Sequence, residues 1–326
     1  MTGGAGYIGS HAVRRLRESG HKVVVLDNLS RGHREAVPRG VALETLDLRE
    51  TEAVGNALVY HEIECVMHFA AMCYVGESVA RPMDYHDNNV GGSVSLLRAM
   101  LGANVKRMVF SSTCATYGEP EQMPIVESTP QRPINPYGRG KLFIERMLED
   151  VASSVDDFAF AALRYFNVAG CAADGSLGED HDPEPHIIPI LMQVALGQRE
   201  KVTIFGDDYP TPDGTCVRDY IHVDDLVDAH ELVMSALKPG EARYYNLGIG
   251  RGYSVRQLIE SARRVTGHAI PAEVGARRPG DPPTLYANAE RIRSELGWQP
   301  LYTDLEGIME TAWRWFRAHP HGYDKP

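Results

Sequence analysis

The stretch Thr2-Gly3-Gly4-Ala5-Gly6-Tyr7-Ile8-Gly9-Ser10, followed by apolar positions at Ala12, Val13 and Leu16 before Gly20, decides the fold. Glycines at 3, 6 and 9 leave no Cβ where a chain must turn tightly, approach a pyrophosphate and let a helix settle onto a strand. The helix opening there aims its first amides at the anion. A Gly-x-x-Gly-x-x-Gly run also arises in ordinary turns, so the residues downstream of it carry the distinction. The run Val23-Val24-Val25-Leu26 reads as a strand and ends in Asp27, eighteen positions after Gly9. An acidic residue at that place accepts hydrogen bonds from an adenosine ribose and repels a 2′-phosphate, which favours NAD over NADP.

Only Met1 and Thr2 precede Gly3, where a doubly wound sheet has its central buried strand. Loss of about five buried residues, at about 1.5–3 kcal/mol each, rivals the roughly 5–15 kcal/mol net stability of a domain. The expectation from sequence is a truncated first strand, with the natural start about five residues upstream.

The 326 residues, 43% hydrophobic and 24% charged, have globular proportions and suffice for a large α/β domain with a smaller lobe. A net charge of −11 argues against nonspecific nucleic-acid binding but leaves room for a local arginine cluster around an anionic ligand. No apolar run approaches the eighteen or so residues of a membrane span. Five cysteines, at 65, 73, 114, 171 and 216, never fall in a Cys-x-x-Cys spacing. That pattern points to a reduced, cytoplasmic protein rather than a disulfide or zinc framework.

After Asp27, strand and helix alternate. Residues 41–46, 65–71, 106–112 and 159–163 read as strands, and 50–61, 91–103 and 136–154 as helices. This predicts a doubly wound parallel sheet of the Rossmann type, with residues 1–167 as the dinucleotide-binding domain and 168–326 as a smaller α/β substrate lobe. Residues 170–186 form a Gly-, Asp- and Pro-rich loop. Residues 217–237 and 244–247 read as a strand-helix-strand return to the main sheet. Ser254 with Gln257, and Thr303 with Glu306, read as capping boxes of two late helices.

Tyr137-Gly138-Arg139-Gly140-Lys141 follows Pro136 at a helix start, which places Tyr137 and Lys141 on one face. A cation beside a phenol stabilises phenolate and makes tyrosine a usable base near neutrality. The strand ending in Ser111-Ser112-Thr113 brings a hydroxyl toward the same cleft.

With these features the chain resembles the extended short-chain dehydrogenase/reductases. Further matches are Asp27-Asn28-Leu29, Val75-Gly76-Glu77-Ser78, Asp87-Asn88-Asn89-Val90, Arg164-Tyr165-Phe166-Asn167, Ile204-Phe205-Gly206, the run from Gly214 to Val223, and Arg278-Pro279-Gly280-Asp281. They are similar to the UDP-glucose 4-epimerase family from end to end. The resemblance implies interconversion of UDP-glucose and UDP-galactose, a tightly held NAD reduced and reoxidised within each turnover, and a homodimer. It implies Tyr137 as base, Lys141 as its partner and Thr113 as a hydrogen bond to the reacting oxygen. It puts Gly3, Gly6, Tyr7, Ile8, Gly9, Asp27, Asn28, Asp47, Leu48, Phe69, Ala70, Ala71, Asn88 and Phe166 at NAD, together with Tyr137 and Lys141. Asn167, His186, Thr203, Phe205, Arg218, Arg278, Asp281 and Leu285 would hold the UDP-sugar with Thr113, the two arginines suiting a diphosphate.

The chain departs from the family pattern in places. Thr113 stands where many members have serine, Gly140 where serine is common before the lysine, Cys73 where some carry lysine, and His186 where others have asparagine. Leu285 aligns with a position whose bulk limits substituents at C2, and leaves N-acetylated sugars possible. A nucleotide-sugar 4,6-dehydratase is the rival reading, but that group needs an Asp-Glu pair after the threonine and here Cys114-Ala115 follow. A non-catalytic NAD or nucleotide-sugar sensor is the other. The run Glu179-Asp180-His181-Asp182-Pro183-Glu184-Pro185-His186 carries metal-type residues, yet its prolines and irregular spacing favour a bent surface loop with no metal.

Overall fold

The computed structural model describes residues 1–278 and 281–323. Its strands are β1 (Val24–Leu26), β2 (Ala42–Glu44), β3 (Val66–His68), β4 (Arg107–Ser111), β5 (Ala159–Tyr165), β6 (Asn167–Ala169), β7 (Val202–Phe205), β8 (Val217–His222), β9 (Ala242–Leu247), β10 (Gly252–Ser254), β11 (Ala272–Gly275) and β12 (Thr284–Leu285). The main sheet is parallel. β2 pairs with β1, and β3, β4, β5 and β9 follow one another on the other side.

The place between β1 and β3 is filled by Met1 and Thr2, not left open. Thr2 bridges Leu26 on one side and His68 on the other, both in parallel sense. Thr2 N donates to Met67 O at 3.0 Å, Leu26 N to Met1 O at 2.8 Å, Gly3 N to Leu26 O at 2.9 Å and Phe69 N to Thr2 O at 3.0 Å. The Met1 ammonium donates to Val24 O at 2.9 Å. Two residues therefore join β1 to β3 and lead straight into the glycine loop.

From Ala159 to Leu163, every residue of β5 is fully buried. A strand covered on both faces has no polar side to alternate with, and its three alanines let helices lie close. The Tyr7–Glu18 helix buries Ala12, Val13 and Leu16 and packs against the Val223–Ala236 helix on one face of the sheet. The Gly92–Gly102 and Thr51–Tyr60 helices cover the other.

The predicted return is real for the Val223–Ala236 helix and β9, but not for β8. That strand lies in a second sheet with β6, β10 and β12, parallel to β6 and β12 and antiparallel to β10. β7 and β11 pair separately. The second core gathers Leu191, Met192, Leu258, Ile308, Met309 and Trp315 from three late helices. Ser254 and Gln257 form the expected reciprocal cap. Thr303 and Glu306 do not: Asp304 caps the Leu305–Ala318 helix by accepting from Gly307 N at 2.9 Å, because a carboxylate one residue later meets the free amide.

Candidate functional site

The Tyr7–Glu18 helix starts with no side-chain cap and no acidic residue in its first turn, which leaves its first amides to an incoming anion. Glycine is required here for two different reasons. Gly3 sits at φ +72°, and a Cβ on it would lie 2.5 Å from Ala70 N; a Cβ on Gly9 would lie 2.0 Å from Gly3 O. At Gly6 the nearest atom to such a Cβ is 3.5 Å away, so that face of the loop is open. Asp27 is buried at the end of β1, where its carboxylate accepts from Ala5 N at 3.0 Å and Leu29 N at 2.9 Å. An amide-lined cradle with a buried acid beside it fits a dinucleotide.

Several residues expected at the cofactor are engaged within the protein. The Tyr7 hydroxyl donates to Gly170 O at 2.5 Å, and Ile8 packs against the core. Asn28 donates to Asp47, which is held by Arg49; those hydrogen bonds keep its carboxyl well below the usual range. Leu48 is half-buried, with its Cβ 3.5 Å from where a side chain on Gly92 would begin. The Phe69 ring leans on His230 at 4.8 Å. Ala70 N donates to Thr2 O, Ala71 is half-buried, and Asn88 donates to Asn89. Phe166 is buried with Tyr117, Ile125, Leu285 and Ala287.

Tyr137, Lys141 and Thr113 converge. Asn135 caps the Pro136–Ser154 helix by accepting from Gly138 N at 2.8 Å, and Pro136 occupies its first turn, so the helix begins one residue before Tyr137. Lys141 Nζ donates to Ser111 O at 2.7 Å, at the end of β4, and lies 5.9 Å from the Tyr137 ring centroid. The Tyr137 hydroxyl reaches the Thr113 side chain. Burial brings Lys141 down to about 8. It also raises Tyr137 well above its ordinary value, with Tyr165 and Cys73 adding to the rise and the Thr113 hydrogen bond opposing it. In the protein alone burial thus acts on the phenol in the direction opposite to the lowering anticipated from sequence.

Apart from His186, the remaining substrate candidates lie on or beside the second sheet and β7. Arg218, on β8, donates to Val217 O at 2.9 Å and stands 3.6 Å from Asp281. Arg278 stacks over Phe205 with its guanidinium 3.8 Å from the ring centroid. Thr203 is on β7 two residues before Phe205, and Asn167 starts β6 beside Tyr220 of β8. β12 brings Leu285 opposite Arg218. Arg218 is also close enough to Cys114 to act on its thiol, which burial nonetheless pushes up to about 12; this links the group to Thr113. Pro279 and Gly280 of the expected Arg-Pro-Gly-Asp run lie outside the described residues.

The run from Glu179 to His186 is a loop that leaves Asp182 and Pro183 exposed but turns two carboxylates inward. Glu179 and Glu184 are 4% and 8% exposed, and His186 Nδ1 lies 2.9 Å from an oxygen of each. Burial opposes the charge of His181, yet the two carboxylates hold its pKa up at about 10.

Two further features were not read from sequence. Glu145, one turn after Lys141, bonds Ser112 and pairs with Arg164 of β5. Asp219 is fully buried and accepts from Ile249 N, Gly250 N and Ala287 N at 2.9–3.1 Å, tying three segments together. Burial lifts its pKa to about 6. Neither stood out in the sequence, because Glu145 sits among Lys141, Arg146 and Glu149 and Asp219 sits beside Arg218.

Among the described residues, no helix is long and apolar enough to cross a membrane. Residues 1–248 match the model of the NAD dependent epimerase/dehydratase family. A UDP-glucose 4-epimerase of Halalkalibacterium halodurans is 52% identical over 99% of this chain and 96% of its own. A crystal structure of UDP-glucose 4-epimerase is 48% identical, covers 99% of this chain and 98% of that one, and superposes with a TM-score of 0.96. The enzyme of Bifidobacterium longum, solved with NAD⁺ and UDP, is 38% identical, with 98% of each chain covered and a TM-score of 0.95. A glycine cradle, a paired Tyr and Lys and a full-length likeness of this degree place the chain in the NAD dependent epimerase/dehydratase family, on its UDP-glucose 4-epimerase branch.

Proposed function

We propose that the chain epimerises UDP-hexoses at C4, interconverting UDP-glucose and UDP-galactose with a resident NAD. What supports this reading is the meeting of Tyr137 with Thr113 and of Lys141 with Ser111 at the end of β4, and the pairing of Arg218 with Asp281, in a chain similar over its full length to UDP-glucose 4-epimerases.

When bound, NAD⁺ supplies the acceptor and later the donor of a hydride. Tyr137 takes the proton of the sugar 4-hydroxyl, and Thr113 hydrogen-bonds the same oxygen as it becomes a carbonyl. Lys141 favours the phenolate by its charge, and the positive charge of the oxidised cofactor works in the same direction against the burial that raises Tyr137. The 4-keto sugar turns over, Tyr137 returns the proton, and the C4 configuration is inverted.

A ring that turns must be anchored elsewhere. Arg218 and Arg278 hold the diphosphate and Asp281 accepts from a ribose hydroxyl, with Asn167, Thr203, Phe205 and His186 completing the nucleotide wall. In this reading residues 1–167, with the returning helix and β9, hold NAD, and the remainder holds the sugar nucleotide. The same reading includes a cytoplasmic homodimer; Phe143 on the Tyr137 helix, 62% exposed, is an apolar side chain that such a contact would cover. Cys114 and Ala115 supply no acid-base pair after Thr113, which disfavours dehydration.

The test is incubation of purified protein with UDP-glucose. UDP-galactose should accumulate to equilibrium, and Tyr137→Phe should abolish turnover while UDP binding stays nearly intact. A stable 4-keto-6-deoxy product, or denatured protein that releases no NAD, would overturn the assignment.

A further inference from the structure

Residues 170–186 contain no helix or strand, yet the end of this segment is packed inside the protein. One ligand atom each from Glu179, His181, Glu184 and His186 lies within 4.8 Å of the others. His181 Nδ1 stands 3.2 Å from Glu179 Oε1 and 3.4 Å from Glu184 Oε2. His186 Nδ1 stands 2.9 Å from Glu179 Oε1 and 2.9 Å from Glu184 Oε1. In a tetrahedral zinc site with ligands at about 2.0–2.2 Å, neighbouring ligand atoms are about 3.3–3.5 Å apart. The four His–carboxylate separations, 2.9–3.4 Å, are thus close to such edges, Glu184 offering one oxygen to each histidine.

Orientation adds a second, independent sign. His181 Nδ1 is buried between an oxygen of Glu179 and one of Glu184 and makes no hydrogen bond of good geometry to either, so it points between the two. A nitrogen so placed can, once deprotonated, ligate an ion that both carboxylates also reach. Tyr7 and Tyr74 present ring edges to His181, and Tyr74 does so to His186, closing the pocket with aromatic walls.

We propose that Glu179, His181, Glu184 and His186 form a binding site for a divalent cation of the zinc class. Two imidazoles and two carboxylates suit that metal, and two carboxylates balance its charge. Four protein ligands leave no open position, so the ion is structural; His186 ligates through Nδ1, which leaves its Nε2 to the sugar nucleotide. It clamps the segment that leads into the Ile187–Ala195 helix, for which His186 is the N-cap, against Tyr7 of the glycine loop. The expectation of a metal-free run rested on a surface loop, and here Glu179 and Glu184 turn inward from it.

The test uses the untagged full-length chain, stripped with a chelator and then offered zinc ions alone. Expected are one zinc per chain retained through gel filtration and a higher melting temperature with zinc than without. Cobalt offered in its place should give the intense visible bands of a tetrahedral site, a readout that needs no variant. His181→Ala and Glu184→Gln should each weaken retention at least about tenfold, while circular dichroism and NAD content report that the variants are folded. Failure of the wild type to retain zinc, cobalt bands of an octahedral ion, or undiminished zinc in folded His181→Ala would each overturn the site. None of these readouts depends on the proposed epimerase activity.

Discussion

Glu145 and Arg164 face each other across the interior with Oε2 2.7 Å from Nη2, their side chains 0% and 5% exposed. The pair joins the helix that carries Tyr137 and Lys141 to β5, the strand between β4 and β9. Glu145 also bonds Ser112, next to Thr113, and Arg164 also bonds the Tyr117 hydroxyl at 3.0 Å. Removing one partner leaves a buried charge alone, so Glu145→Ala should lower unfolding free energy by about 3–5 kcal/mol. Replacing both by apolar residues, Glu145→Leu with Arg164→Met, should lose less than either single change. Urea unfolding of the four proteins checks this. The folded double variant should also lose kcat, because Tyr137 and Thr113 are no longer held in register.

The glycine loop gives a steric prediction. Gly9→Ala drives a Cβ to 2.0 Å from Gly3 O, a backbone atom that cannot move without opening the cradle. Purified Gly9→Ala should carry little NAD, measured by absorbance after denaturation. Gly102→Ala is the control: nothing lies within 4 Å of its Cβ, and helix propensity should leave stability unchanged or raised by up to about 1 kcal/mol.

The anchoring role of Arg218 predicts a split between binding and rate. Arg218→Lys keeps the charge but loses the planar fork, so KM for UDP-glucose should rise about 10–100-fold. NAD content and kcat should change by less than about threefold. An equal fall in kcat at unchanged KM would place Arg218 at the reacting carbon instead.

Buried histidines predict the acid limit. Burial, with Lys141 nearby, holds His68 down to about 3; burial likewise holds His222 to about 3, and His11 and His230 to about 4. An unfolded histidine titrates near 6.5, so below that value the unfolded chain binds more protons and stability is lost as pH falls. Asp219 and Asp224, lifted to about 6 by burial, act in the opposite sense between about 3.8 and 6 and offset part of the loss. Stability from urea melts should therefore fall between pH 7 and pH 5. His68→Gln should make that slope shallower, by at most about 1.4 kcal/mol per pH unit.

The parts legible in sequence were those whose meaning is local. The glycine spacing, the strand ending in Asp27 and the four-residue interval from Tyr137 to Lys141 are each written within one or two elements, and period and spacing are enough to read them. What stayed hidden depends on pairing between distant segments. Met1 and Thr2 are too short to read as a strand, yet they are held from both sides by β1 and β3. β8 has the apolar pattern of a main-sheet strand but pairs in the second sheet. Phe69 and Phe166 look equally suited to a cofactor wall or to a core, and their packing against His230 and Tyr117 depends on three-dimensional neighbours alone. The burial that raises the Tyr137 phenol was hidden for a related reason, since burial cannot be counted from a spacing.

Only Phe166 separates β5 from β6, and it is itself buried. One continuous ribbon therefore passes from one sheet directly into the other with no slack at the crossing. A scaffold joined so tightly there is ill suited to offering first one side and then the other side of a carbon by bending at that junction. In the proposed reaction the swing between the two half-reactions then falls to the small molecule, pivoting about its phosphates.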